Sequence, residues 1–365
     1  MFDIPDGDSM KVLVPIHLAA WAVLTSCSSV PNHEAVVPTE ITAPSMQVSG
    51  PTATFSSTVS SIPESISTTT STFVSSSTPE SNDRSSVPTK STPRISALPP
   101  SSPPQASPIE IPNHRGFETG LTSLFLGHSF FQPPAFRLDA LARMSGLSSH
   151  QQTIVTGGGS SGAPEALWNN AEKRNEALTV LESGQIELLG MTYHPDYPTL
   201  TGYRLWIDEA LLHNPNTAFF VGMPWLLDPT SMTSTEYSRI WKDAYADTVA
   251  SIVRRLQVEY PAETIFAIPY GRSAADLYEE FELGRLPQIT ALVGDPQTSL
   301  SRDEMGHAGQ IVEELASLVW LKAIYCVDLN NFAYPFKYEV DLRVLGTTIV
   351  EEDDPRLRAP WCLVD

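Results

Sequence analysis

Two stretches far apart in the chain carry side chains suited to nucleophilic chemistry. The run Leu121-Thr-Ser-Leu-Phe-Leu-Gly-His-Ser129 is short, apolar and rich in β-formers, ends in Gly-x-Ser, and is followed by Pro133-Pro134 and a helical pattern. That order predicts strand, tight turn and helix, with a serine hydroxyl at the carboxyl end of a strand. In open α/β sheets ligands bind at that edge. A serine hydroxyl is a weak nucleophile until a base takes its proton and a prepared pocket holds the oxyanion. The base is expected 178 residues downstream, in Asp303-Glu-Met-Gly-His307, ahead of another helical pattern. His307 is placed to remove the proton and return it to the leaving group, and either Asp303 or Glu304 to orient the imidazole.

A third element is the run Gly157-Gly-Gly-Ser-Ser-Gly162, after the second strand-like segment. Without Cβ atoms such a turn lets backbone N–H groups point at an anion. No Lys-Ser/Thr follows at the spacing of a phosphate-binding loop. Gly162 is the expected oxyanion donor because it opens the helix that begins near Ala163-Pro164. Trp168, Tyr193, Tyr197 and Trp225 fall on strand-to-helix loops at the same edge and are candidates for stacking on a sugar or holding an acyl chain, or for packing. His194-Pro195-Asp196 is too small a set to make a metal site, and no metal is expected.

An early serine and a late acid–histidine pair is the chain order of the SGNH (GDSL-type) serine hydrolases, and residues of about 118–325 resemble that family. Gly127-His128-Ser129-Phe130 stands where the family carries Gly-Asp-Ser-x, which implies Ser129 as nucleophile with His128 in place of the usual aspartate. In the family's last block, Asp-x-x-His, the acid stands three residues before the histidine. Glu304 occupies that register, while Asp303, one step further away, has the family's shorter side chain and is slightly preferred. The resemblance also implies three oxyanion donors: the Ser129 amide, the glycine supplied here by Gly162, and an asparagine side chain. For the last the sequence offers only Gly190-Met191-Thr192-Tyr193, so Thr192 stands where asparagine is expected, with His194 just beyond. The implied activity is hydrolysis of a small-molecule or carbohydrate ester, acetyl groups among them by analogy, without a cofactor. The missing asparagine and shifted acid leave open a non-catalytic surface binding module on the same fold. The α/β-hydrolase elbow Gly-x-Ser-x-Gly fits less well, since no second glycine follows.

The elements that must position these residues lie in the second part of the chain. Before about residue 115 Ser, Thr and Pro dominate; afterwards aliphatic, aromatic and charged residues alternate in periodic order. Strands are expected over 121–126, 152–156, 186–191, 218–223, 264–268 and 288–293. Helices are expected over 136–144, 164–183, 202–212, 234–260, 274–282 and 308–325. Alternating strands and helices imply right-handed crossovers and a three-layer α/β/α sandwich with a mainly parallel, flavodoxin-like sheet. The stretch 334–365 has no clear helical period.

The remainder points to export. Residues 1–27 resemble a signal peptide: Met10-Lys11, an apolar run over 12–24, then Leu24-Thr-Ser-Cys27, similar to the lipobox of bacterial lipoproteins. The acidic stretch 1–9 and a lone Lys11 depart from that pattern; translation from Met10 would account for the first. Cys27 is the expected lipidation site, giving a membrane anchor at the bacterial cell envelope, with secretion without lipid as the alternative. Residues 28–114 have too few large apolar side chains to offset chain entropy and are expected to form a disordered linker of roughly 50 Å root-mean-square span. The domain is then 115–365. With Cys27 lipidated, Cys326 and Cys362 remain as an even pair, bridged or free. The formal net charge of −20 argues against nucleic acid, whose phosphates require a basic face.

Overall fold

A computed structural model describes residues 119–335 and 337–363. The expected signal peptide, Cys27 and the linker lie outside the described residues. Five short apolar runs, β1 (Thr122–Gly127), β2 (Gln151–Thr156), β3 (Leu188–Thr192), β4 (Ala218–Gly222) and β5 (Ile265–Ile268), form a fully parallel sheet in the order β2-β1-β3-β4-β5. β3, β4 and β5 are buried along their whole length. That requires cover on both faces, as continuous apolar runs predict for parallel strands.

Phe125, Leu188, Phe220 and Phe266 face one layer, built by α1 (Gln132–Met144), α7 (Arg272–Glu282), α8 (Gln310–Tyr325) and α9 (Leu342–Glu351). Leu124, Leu126, Leu189, Met191, Phe219 and Val221 face the other, built by α2 (Pro164–Asn169), α3 (Ala171–Leu181), α4 (Thr201–His213) and α6 (Val249–Glu259). Between them α5 (Ser234–Asp247) divides its aromatics: Tyr237 joins the first core and Trp241 and Tyr245 the second. The described residues form a three-layer α/β/α sandwich.

α8 is apolar on nearly every side and buried accordingly. Its Trp320 meets Phe125, Phe131 and Phe220 edge-on at centroid distances of 5.2, 4.7 and 5.0 Å. The helix that follows His307 is therefore anchored directly beneath β1. At its far end Cys326 adopts a left-handed conformation and is bridged to Cys362, with Cα atoms 5.2 Å apart.

Several boundaries differ from the sequence expectation for local reasons. α1 starts at Gln132 rather than 136, because Pro133 and Pro134 suit a first helical turn, where an N–H has no partner. The stretch 164–183 breaks at Asn170, whose extended backbone and side-chain oxygen cap α3 through the Glu172 and Lys173 amides. The stretch 234–260 breaks at Thr248, whose hydroxyl bonds back to the Ala244 carbonyl. The strand expected over 288–293 shortens to β6 (Ala291–Val293), outside the main sheet and paired in parallel with β7 (Ser299–Ser301). α9 lies in the stretch 334–365, where no helix is expected; its buried positions Leu342, Gly346, Ile349 and Val350 do recur at helical spacing, but Gly346 and the β-branched Thr347-Thr348 weaken its helix propensity. Among the described residues no helix is long and apolar enough to cross a membrane.

Candidate active site

The strand order fixes where the chemistry can gather. From β1 the chain passes to β2 on one side and then to β3 on the other, so the loops after these strands splay apart at the carboxyl edge. Ser129 lies on the turn after β1, Gly162 on the loop after β2, and Thr192 ends β3. His307 lies between β7 and α8.

Ser129 Oγ lies 3.0 Å from His307 Nε2. His307 Nδ1 lies 2.8 Å from Asp303 Oδ2, and Asp303 Oδ1 accepts the His307 backbone N–H at 3.1 Å. An ionised carboxylate only accepts, so the ring proton sits on Nδ1 and the Nε2 lone pair faces the serine hydroxyl. Of the two acids, Asp303 touches the histidine; Glu304 is exposed and does not. The reason is the turn itself. The Asp303 carbonyl accepts the Gly306 N–H at 3.0 Å, and Gly306 has φ +90°, in the region that favours glycine. The chain thus folds back so that residue 303 meets 307, while Glu304 and Met305 occupy the outer corner. An antiparallel bridge between Ser301 and Ala308, with Arg302 N–H donating to the His307 carbonyl at 2.8 Å, holds the base of the turn.

The aromatic surroundings are structural. The rings of Phe130 and His307 meet nearly perpendicular at 5.0 Å, and Phe130 stacks on Trp225 at 5.3 Å. Trp225 is 4% exposed and donates its indole N–H to Gly306 O at 2.8 Å. It and Tyr193, 7% exposed, are packing residues rather than open stacking surfaces. Trp168 and Tyr197 are half-buried, and Trp168 packs edge-on against Trp206 at 4.8 Å.

His128, next to the serine, is buried. Its Nδ1 accepts the Phe130 N–H at 3.2 Å; its Nε2 is 3.1 Å from the Tyr193 carbonyl and 3.2 Å from Thr192 Oγ1. Burial pushes its pKa down to about 4, so the ring is neutral and carries its proton on Nε2. Thr192, the expected third oxyanion donor, is buried. Its hydroxyl lies 3.2 Å from His128 Nε2 and 3.4 Å from the Tyr193 carbonyl. The family resemblance alone put it in that role; the imidazole beside it had no sequence signal.

The glycine run is docked rather than loose. Gly157 N–H donates to Gly127 O at 3.1 Å. A Cβ on Gly162 would stand 2.5 Å from Gly127 O and 2.6 Å from His128 Cβ. The Gly162 backbone therefore abuts the residues just before Ser129. His194 is buried, accepts the Asp196 N–H on Nδ1 at 3.2 Å, and packs edge-on to His128 at 5.6 Å. Burial lowers its pKa. Among the described residues no group of three or more His, Cys, Asp or Glu side chains is arranged to hold a metal ion.

No protein-family model matches the sequence, and no curated protein does. Among solved structures, a DUF4886 family protein from Bacteroides uniformis ATCC 8492 is similar at 12% identity, over 64% of this chain and 95% of that one, with a TM-score of 0.44. The periplasmic domain of a lipopolysaccharide acetyltransferase from Salmonella ser. Paratyphi A is similar at 12% identity, over 54% of this chain and 81% of that one, with a TM-score of 0.31. At that identity neither likeness assigns a role to a residue of this chain.

Proposed function

We propose that the protein is a serine hydrolase of the SGNH type that cleaves carboxylic esters, with carbohydrate acetyl groups as the substrate class to try first. The observation that carries this reading is the chain of contacts Ser129 Oγ–His307 Nε2–Nδ1–Asp303 Oδ2, at 3.0 and 2.8 Å. In the proposed cycle Ser129 Oγ attacks the ester carbonyl as its proton passes to His307 Nε2, and Asp303 stabilises the resulting imidazolium. The Ser129 and Gly162 amides face the tetrahedral oxyanion. Collapse expels the alcohol, which takes the proton from Nε2. Water, deprotonated by the same nitrogen, then releases the acid and restores Ser129. No step calls on a cofactor. The protein is further proposed to be exported, anchored through Cys27 to the bacterial envelope, and held out on residues 28–114.

The test is labelling of the purified protein with a fluorophosphonate, the adduct located by mass spectrometry, beside Ser129→Ala and His307→Ala. A Ser129 adduct in wild type that is lost in both variants is the expected result. An unlabelled wild type, under conditions that modify a control esterase, would leave the non-catalytic binding module as the surviving reading.

A further inference from the structure

The turn after β1 accounts for its amide donors one by one. Phe130 N–H goes to His128 Nδ1 at 3.2 Å, and Phe131 and Gln132 N–H both go to His128 O, at 2.9 and 3.0 Å. Pro133 and Pro134 have no N–H, and Ala135 N–H goes to Phe131 O at 3.4 Å. From Ser129 to Ala135, only the Ser129 N–H donates to no atom of the described residues. His128 arranges this with both its side chain and its carbonyl.

We infer that His128 is a positioning residue for the ester hydrolysis proposed above: as the Nε2–H tautomer, its ring takes the Phe130 amide out of competition and leaves the Ser129 amide to the oxyanion. The inference rests on that proposed reaction. The same ring ties two loops together, because its Nε2–H donates to the Tyr193 carbonyl at 3.1 Å, beyond the adjacent strand β3. A carboxylate at this position would accept from Phe130 but have nothing to donate to Tyr193. An ammonium would do the reverse. A neutral imidazole does both, and burial, which lowers the pKa of His128 to about 4, keeps it neutral near neutral pH. The edge-on ring of His194, at 5.6 Å, closes the remaining side.

Two variants separate positioning from mere folding. His128→Asn keeps an acceptor near the Nδ1 position, and His128→Leu keeps bulk without polarity. With p-nitrophenyl acetate as probe, kcat is expected to fall by about ten-fold or more in His128→Leu, as for a displaced oxyanion donor, with KM nearly unchanged. The rate of fluorophosphonate labelling should fall by the same factor, and His128→Asn should recover to within about three-fold of wild type. A loss carried by KM, or His128→Asn no better than His128→Leu when both melt like wild type, would overturn the inference. Nitrogen-15 NMR of the wild-type imidazoles decides it independently. His128 should show a bare Nδ1 and a protonated Nε2; an Nδ1–H tautomer would overturn the positioning role even in an active enzyme. Failure of the esterase reading would appear instead as an unlabelled wild type with the His128 tautomer as described.

Discussion

Trp225 donates its indole N–H to Gly306 O at 2.8 Å while its ring stacks on Phe130 at 5.3 Å. One partner precedes His307 and the other follows Ser129, so a single side chain sets the spacing between the two halves of the site. Trp225→Phe keeps the ring and removes the donor. It should lower kcat for p-nitrophenyl acetate by about ten-fold with little change in KM, and cost about 1–3 kcal/mol of stability for the unpaired buried carbonyl. Steady-state kinetics and a urea melt read both. An unchanged kcat would mean that the histidine turn holds itself.

Asp303 and Glu304 are neighbours in sequence with opposite fates in the turn. Asp303→Asn should reduce kcat by about 10⁴-fold, because an amide cannot hold the Nδ1–H tautomer that leaves Nε2 free for the serine. Glu304→Gln should leave kcat within about two-fold of wild type, as expected of an exposed side chain away from the imidazole. The reverse ranking would show that the turn rearranges when substrate binds.

The fold was largely legible because parallel strands buried on both faces must be written as continuous apolar runs, as in Leu124-Phe125-Leu126 and Ala218-Phe219-Phe220-Val221. Ser129, His307 and the nearby acids were legible as residue types at a strand end and ahead of a helix. Asp303 was preferred only for its shorter side chain; the turn that brings it to His307, with Gly306 reversing the chain, was not legible. Nor was the part played by His128, whose partners Thr192 and Tyr193 reach it only because β3 lies beside β1. The surroundings of Thr192 were hidden for the same reason: a position inherited from a family pattern says nothing of which way a hydroxyl turns. α9 escaped although Leu342, Gly346, Ile349 and Val350 recur at helical spacing, because a glycine and two β-branched threonines at its centre read as poor helix formers.

Acid stability should expose two opposing groups. Burial lowers His128 to about 4 from an ordinary 6.5. Above pH 6.5 it is neutral folded or unfolded. As the pH falls from 6.5 toward 4 the unfolded chain gains a proton that the folded one refuses, and about 3 kcal/mol is lost. Burial also lowers His150 and His194, which act in the same direction. Half-buried Asp353, bonded by Tyr245 at 2.8 Å, is raised by desolvation to about 6 from 3.8. Here the folded state takes the proton first, so stability is gained over nearly the same window, by about 3 kcal/mol. Asp353→Asn should therefore steepen the loss of stability between about pH 6.5 and 4, measured by urea melts. A shallower curve in this variant would contradict the assignment.

The Cys326–Cys362 bridge closes a span of 36 residues at the end of α8 remote from the histidine turn. The 16-residue helix separates the two by about 24 Å. Replacing both cysteines by serine should cost about 3–4 kcal/mol of stability on the chain-entropy account and leave kcat and KM of the proposed hydrolysis unchanged in the folded protein. A drop in kcat at a temperature well below the melt would mean that the bridge acts on the site through α8.

Gly162 offers the sharpest test of how the glycine run is used. A methyl group there would meet Gly127 O at 2.5 Å and His128 Cβ at 2.6 Å, atoms of a turn that cannot retreat without moving Ser129. Gly158 provides the control: its φ is −83° and a Cβ would meet nothing within 4 Å. Gly162→Ala should slow fluorophosphonate labelling of Ser129 by about 10²-fold or more, the scale of a lost oxyanion donor. Gly158→Ala should label like wild type. Equal labelling of the two variants would separate the glycine run from the chemistry and leave the Ser129 amide as the only donor the proposed mechanism retains.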